Sequence, residues 1–321
     1  MPDSLSVILA LDFGGTKLTA AVVQQGKIAW AAHRRVPSPP DANGPMQVQI
    51  LFALGRELLA GRAPDAVGAS FGGPVDFDAG AVLRSHHVPD WEDMPLRDEL
   101  GQAFGAPAVV DNDANAGALG EQRYGAGRGC ATLLYVTVST GVGGGLILHG
   151  QPYRGAQGLA GEIGHTVVQP GGPLCLCGKR GCVERLASGP YMAADARALL
   201  AAQPERAAVL RRMAEDDRAA LDARELNRAA AQGDELAMEV LALGARALGV
   251  GVGNAANLLN PERVVIGGGV SKSSALWWEA VRESARDTAL PEVEFDIVPA
   301  ALGDDAPLWG AAALAQDLLP L

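Results

Sequence analysis

Apolar runs along this chain stop repeatedly at short glycine-rich or polar stretches, and the residues after each stop predict the elements. SVILALDFGGTKLTAAVV, residues 6–23, is an apolar run, a polar Gly-rich turn and a second apolar run, a pattern that predicts a β-hairpin. TLLYVTVSTGVGGGLIL, residues 132–148, has the same plan. In APAVVDNDANAGALGEQ, residues 106–122, a strand-like run passes through a polar cluster into an Ala-rich helix. ERVVIGGGVSKS, residues 262–273, reads as a strand ending in a glycine cluster. From about 190 to 258 the apolar spacing is near three and four, in YMAADARALLAAQ, LDARELNRAAAQG and the long run beginning ELAMEVLALG, and predicts scaffold helices. Residues 202–220, dense in Arg, Asp and Glu, read as a solvated helix or loop, and DDAPLWGAAALAQDLL as a C-terminal helix.

Length and charge narrow the classes. At 321 residues and 48% hydrophobic content, two domains are more expected than one. The formal net charge of -11, from 26 Lys plus Arg against 37 Asp plus Glu, gives no general attraction to nucleic acid or anionic membranes. The N-terminus has no cationic segment ahead of its apolar run, and no segment approaches the roughly 20 apolar residues of a membrane span. The expected location is cytoplasmic, where thiols stay reduced.

That bears on PLCLCGKRGC, residues 173–182, which holds three of the four cysteines. Cys175, Cys177 and Cys182 are too close in sequence to close useful disulfide loops. A structural zinc needs four tetrahedral ligands, and the Pro and Gly residues here let three thiolates converge. His165 in GEIGHTVVQPGGP is the expected fourth ligand, whereas Cys130 lies far off beside a predicted strand. The competing reading is buried, unligated thiols.

The two Gly-rich, Thr-bearing turns offer two backbone cradles for phosphate oxygens. A single such turn is more often only a tight turn; the pair, with Asp12 at the entry of the first, suits Mg²⁺ held through water. No GxxxxGK[ST] occurs, and neither GVGGGL nor GVGVGN satisfies GxGxxG. The third cluster is either a strand-to-helix turn or bare backbone against which adenine and ribose lie. DxDxN in the middle segment suggests calcium, but Ala116 and Gln122 stand where such a loop needs Gly and Glu. Two readings remain there: Asn112 or Asp113 caps a helix, or Asp113 removes a proton from an attacking hydroxyl while Asn112 hydrogen-bonds beside it.

LDFGGTK, DNDANAGALGE, TVSTGVGGGLI, GEIGHTVVQPGGPLCLCGKRGCVERLASG and NLLNPERVVIGGGVS together resemble the ROK family, from about residue 7 to 314 and in the family's order. That family groups bacterial sugar kinases with sugar-responsive repressors. The resemblance implies a two-domain α/β fold of the actin and hexokinase type, a duplicated ribonuclease H-like design with an interdomain cleft. The expected domains are 1–116, completed by a C-terminal helix at 303–321, and 117–302, with the zinc loop and nucleotide turns. It further implies a first phosphate loop from Asp12 through Gly14, Gly15 and Thr16 to Lys17. Thr140, Gly141 and Gly143 belong to a second, and Gly267, Gly268 and Gly269 lie near adenosine. Asp113 is implied as the catalytic base, Asn112, Asp113, Glu162, His165 and Glu184 as sugar ligands, and His165, Cys175, Cys177 and Cys182 as zinc ligands.

Hydroxyls are both donors and acceptors, so a pocket of Asn, Asp, Glu and His suits a sugar. Zinc would fix the loop that presents Glu162 and Glu184, which taken singly read as solvated charges. Two departures bear on the sugar. His86 and His87 stand where glucose-type members usually read Pro-Asn, and SFGGPVD, residues 70–76, replaces Pro-Gly-Pro, with Gly72 keeping backbone close to the sugar. The expected activity is transfer of the γ-phosphoryl of ATP, with Mg²⁺, to a hexose hydroxyl, O6, of glucose or a related sugar. The partner is a small-molecule sugar, with no nucleic acid or membrane, and the expected assembly is a homo-oligomer, a dimer or tetramer. The rivals are a sugar-responsive repressor, which carries a helix-turn-helix domain where this chain has about six residues before its first strand, and a non-catalytic sugar-binding protein.

Overall fold

The computed structural model describes residues 5–85, 88–216 and 221–320. Strands β1 (Val7–Phe13) and β2 (Lys17–Gln24) form the first expected hairpin, paired antiparallel from Val7↔Gln24 to Phe13↔Leu18. β3 (Ala32–Pro37) continues it, and helix α1 (Gly44–Leu59) comes next, capped by the Asn43 side chain on the amide of Met46. Then come β4 (Ala66–Phe71), a small ribbon of β5 (Val75–Asp76) and β6 (Ala81–Val82), helix α2 (Leu96–Phe104), β7 (Ala108–Asn112) and helix α3 (Asp113–Tyr124). The five main strands lie in the order β3-β2-β1-β4-β7, with β1, β4 and β7 parallel.

The second hairpin is β8 (Leu133–Val138) and β9 (Val142–Leu148), neighbours in a sheet with β10 (Gln151–Tyr153). Helices α4 (Val183–Ala187), α5 (Gly189–Ala202), α6 (Ala208–Asp216), α7 (Ala223–Ala230) and α8 (Glu235–Leu259) fill the stretch expected to be scaffold. β11 (Arg263–Gly267), α9 (Ala275–Thr288), β12 (Asp296–Pro299) and α10 (Ala306–Gln316) complete the chain, and the second sheet runs β10-β9-β8-β11-β12. The segment expected to be solvated is partly docked: Val209 and Leu210 of α6 are buried and their amides donate to buried Asp234.

Two units result. One comprises the residues up to Leu133, Gly145–Gly161 and the segment from Ala300 on; the other comprises Leu134–Gly144 and Glu162–Pro299. In the first, alternation along the strands gives the sheet two apolar faces. Leu9, Leu11, Phe13, Val67 and Phe71 pack on Leu51, Leu100 and Trp91, while Ile8, Ala10, Ala21 and Ala66 pack on Leu308, Ala311 and Ala315 of α10. Helices α3 and α10 approach closely because both are small-residue helices: a Cβ on Gly310 would strike the carbonyl of Ala116. In the second unit α8 packs against α9 and α4. The expectation that no segment is apolar enough to span a membrane needs correction here, because α8 passes that test by length and composition. Many of its apolar residues, Leu236, Val240, Leu241, Leu248 and Val252 among them, are buried in the unit, which is why it is apolar, while Met238, Leu243 and Leu258 are exposed.

Candidate functional site

Each unit gathers its own share of the expected site residues. In the first, Asp12 is near the end of β1, Gly14, Gly15 and Thr16 make the turn, and Lys17 opens β2. The turn is tight enough to require glycine: a Cβ on Gly14 would lie 2.6 Å from the carbonyl of Lys17, which accepts the Gly14 amide. It is buttressed from below. Buried Gln47 donates to Ser38 Oγ (2.9 Å) and toward Gly14 O (3.4 Å), and accepts from the indole of Trp91, itself wedged edge-on against Phe13 and Phe71.

Asn112 ends β7 and Asp113 begins α3, because the strand leaves the sheet here and the helix amides need partners. Asn112 is the cap, its Oδ1 accepting from Ala114 N and Asn115 N. Its Nδ2 donates to Asp113 Oδ1 (3.0 Å) and Gly73 O (2.9 Å). Asp113 Oδ1 also accepts the amide of Ala114 (2.9 Å), so its hydrogen bonds fall on Oδ1. Oδ2 lies 3.8 Å from where a Cβ on Gly72 would stand, beside bare backbone. The capping and proton-accepting readings of this pair are thus compatible in one geometry.

Both carboxyls are displaced from the ordinary range. Burial pushes Asp113 up to about 7, with the charge of Asp12 adding to it and the bonds from Ala114 and Asn112 opposing. Burial likewise pushes Asp12 up to about 6, against the Ser70 hydroxyl that donates to it and the charge of Arg35, with Asp305 adding to the rise. A carboxyl whose folded pKa exceeds its unfolded value binds more protons in the folded state between the two, so stability falls as pH rises through that window. Asp113→Asn should therefore leave the unfolding midpoint of the ligand-free protein nearly unchanged at pH 4 and raise it at pH 8. Thermal unfolding of both proteins across this range checks it; a variant no better relative to wild type at pH 8 than at pH 4 contradicts the burial argument.

In the second unit Thr140 and Gly141 turn between β8 and β9, and Gly143 lies in β9. Gly267 ends β11, and Gly268 and Gly269 come directly after it. These two turns are adjacent, since a Cβ on Gly269 would sit 3.8 Å from Ser139 Oγ. Glu162 precedes a single 3-10 turn, Ile163–His165, and Cys182 precedes α4, which carries Glu184. A bridge between Val167 and Cys182 runs the two segments antiparallel, and amides of Val168, Cys175, Gly178 and Gly181 close the intervening loop on itself. Tyr191 braces it by accepting the amide of Leu176.

This folding brings the ligand atoms of His165, Cys175, Cys177 and Cys182 within 4.8 Å of one another. Zinc bonds of ~2.0–2.3 Å in a tetrahedron put donors about 3.3–3.8 Å apart, and Cys177 and Cys182 sulfurs are 3.6 Å apart. His165 Nδ1 is buried with no protein partner, while Nε2 lies 3.8 Å from Glu162. An orphaned imidazole nitrogen among three thiols fits a zinc ligand set. Burial, the hydrogen bond with Cys177 and the neighbouring sulfur charges push the Cys182 thiol up to about 12, so a cation is what would hold it as thiolate.

Glu184 does more than the sequence suggests. Its Oε2 accepts the amide of Val142 (3.1 Å) in the second Gly-rich turn, and Oε1 lies 4.0 Å from Cys175 Sγ. Other polar groups around the site were not foreseen: Ser70 on Asp12, Lys17 with Asp304 (3.7 Å), Arg35 with Asp305, and Arg154 with Asp111. Each of these partners is 43 or more positions away in sequence, so spacing carried no signal for them. His86 and His87 lie outside the described residues.

Comparison with known proteins gives a consistent picture. The family described as "ROK family" matches residues 8–318. The chain is 33% identical to a glucokinase of Thermotoga maritima over 97% of each chain. It is 36% identical to an N-acetylmannosamine kinase of Escherichia coli over 96% of this chain and 98% of the other. Among solved structures it is similar to a ROK family glucokinase from Streptomyces griseus in complex with glucose and AMPPNP, at 36% identity and a TM-score of 0.84, covering 98% of this chain and 100% of that one.

Proposed function

The chain belongs to the ROK family and has its two-domain, actin- and hexokinase-like α/β fold, and from that premise we propose that it is an ATP-dependent hexose kinase acting on glucose or a related sugar at O6. The observation that carries this reading is Asp113: Oδ1 is held by two donors, Oδ2 faces the bare backbone of Gly72, and burial brings the group to about 7. A general base works best with a pKa near the operating pH. Oδ2 takes the proton of the sugar hydroxyl as its oxygen bonds to the γ-phosphorus, and the bond from phosphorus to the ADP oxygen breaks.

The remaining residues bind and orient. The amides of Gly14, Gly15, Thr16, Gly141 and Gly143 suit phosphate oxygens, and Gly267, Gly268 and Gly269 give adenosine a surface without side chains. Asp12 would hold the Mg²⁺ of MgATP through water, and that charge offsets the repulsion between Asp12 and Asp113. Glu162, His165, Glu184 and Asn112 offer hydroxyl partners. His165, Cys175, Cys177 and Cys182 would hold a zinc that supplies no chemistry of its own, but would fix the loop and orient the imidazole by one nitrogen. Glucokinase and N-acetylmannosamine kinase relatives of similar identity support a hexose or amino-hexose substrate.

A coupled assay of ADP release across glucose, mannose, N-acetylmannosamine and N-acetylglucosamine, with the product's phosphate located by NMR, tests the proposal, with polyphosphate as an alternative donor. Sugar-dependent ADP release with a 6-phosphate product is expected for at least one. ADP release that no sugar in the panel stimulates would sink the kinase reading.

A further inference from the structure

The registers of the first sheet align Arg35, Thr19, Asp12, Ser70 and Asp111 in one row, each directly paired with the next across β3, β2, β1, β4 and β7. Directly paired residues share a face, which also carries the apolar Ile8, Ala10, Ala21 and Ala66 and, on β2 and β3, Lys17 and His33. The row ends at Asp111, only 2% exposed and two residues before Asp113. A buried carboxylate needs an opposite charge or full hydrogen bonding to remain ionised.

Arg154, just after β10, meets that need. Its Nε (2.9 Å) and Nη2 (2.7 Å) both donate to Asp111 Oδ2, and its guanidinium stacks 3.4 Å from the centre of the Phe77 ring. Oδ1 of Asp111 is left to accept the amide of Asn112 (2.8 Å) and the Asn115 Nδ2 (3.2 Å). One oxygen is thus bound by the arginine, while the other grips the end of β7 and the first turn of α3. Asn112, so held, donates to Asp113 Oδ1.

Building on the kinase reading above, we propose that Arg154 is a positioning residue for the catalytic carboxylate: by pairing Asp111 it fixes Asn112 and, through it, the orientation of Asp113. Two nitrogens of one rigid plane converging on a single oxygen, with that plane against Phe77, suit a guanidinium and not an ammonium, so lysine replaces it incompletely.

The test is a cycle of Arg154→Gln, Asp111→Asn and the double variant, with Arg154→Lys alongside, read by kcat, by KM for MgATP and by amide hydrogen exchange of the ligand-free protein. In the wild-type background Arg154→Gln should lower kcat on the order of 10- to 100-fold, because a small misplacement of a reacting group is costly, with KM for MgATP within about twofold. Arg154→Lys should recover part of the loss. In the Asp111→Asn background, where no charge is left stranded, Arg154→Gln should cost far less. Amides of Asn112, Ala114 and Asn115 should exchange about tenfold faster in Arg154→Gln than in wild type, ahead of the rest of the sheet. If the variant only lowers the unfolding midpoint, with kcat and these amides unchanged, or if Arg154→Gln costs the same in both backgrounds, the proposal is overturned. Absence of sugar-dependent turnover in the wild type would sink the kinase reading alone; the exchange arm then decides whether Arg154 orders the segment. Should Arg154→Gln fail to fold, Arg154→Lys and the double variant carry the same comparison.

Discussion

Replacing Asp113 by Asn is expected to lower turnover on the best hexose by on the order of 10² to 10⁴, the contribution typical of a positioned general base. At about 1.4 kcal/mol per tenfold, this is roughly 3 to 5 kcal/mol of transition-state stabilisation. Asn preserves the size and the Oδ1 acceptor for Ala114 and Asn112, so zinc content and sugar affinity should change little. Wild-type turnover should in turn fall as pH drops through about 7, as the carboxyl takes up its proton. Asp12→Asn separates the two roles: it should raise KM for MgATP and leave sugar binding nearly intact, since its proposed partner is the metal. Steady-state kinetics with chemistry shown to be rate-limiting, plus calorimetric sugar binding, measure both. Near-wild-type turnover in Asp113→Asn would return the residue to service as the first residue of α3 alone.

Loss of zinc should have the other large effect. The purified protein should carry about one zinc per chain, and structural zinc sites in small peptides bind with roughly 10–16 kcal/mol. Chelation, or Cys182→Ala, should strip the metal and leave the His165 imidazole and the buried sulfurs without partner or counter-charge. Because Cys182 sits at the entry of α4 and Glu184 grips Val142 N, disorder in this loop should reach the second Gly-rich turn as well as the proposed sugar ligands Glu162, His165 and Glu184. Metal analysis, hexose calorimetry and binding of a non-hydrolysable ATP analogue read this directly. Negligible zinc in protein purified without chelator, together with normal sugar binding, would refute the assignment.

What could be read in the sequence depended on whether a feature's cause was local. Both hairpins were legible because glycine turns between apolar runs are specified by neighbouring residues. Asn112 as a cap and the three clustered cysteines were legible for the same reason. The row from Arg35 to Asp111 was not, since strand register in a partly parallel sheet is fixed by packing between segments far apart in sequence. Arg154 lies 43 residues beyond Asp111, and only the folded chain shows that its charge belongs there. The scaffold role of α8 was legible from its apolar spacing, but its length and composition also pass the test for a span, and only its buried neighbours show why.

The place of α10 has a consequence for how the protein is made. Its Leu308, Ala311 and Ala315 cover the Ile8 and Ala10 face of the first sheet, and Asp304 and Asp305 pair with Lys17 and Arg35. During synthesis that face emerges early, but its cover is translated only after Glu162–Pro299. At elongation rates of ~5–20 residues per second the wait is on the order of ten seconds or more. For that interval the nascent chain holds an unsealed β-surface, while the second unit can begin to fold as it emerges. The first unit to be made is therefore finished only when α10 arrives, and chaperone demand should peak before Ala306–Gln316 leave the ribosome.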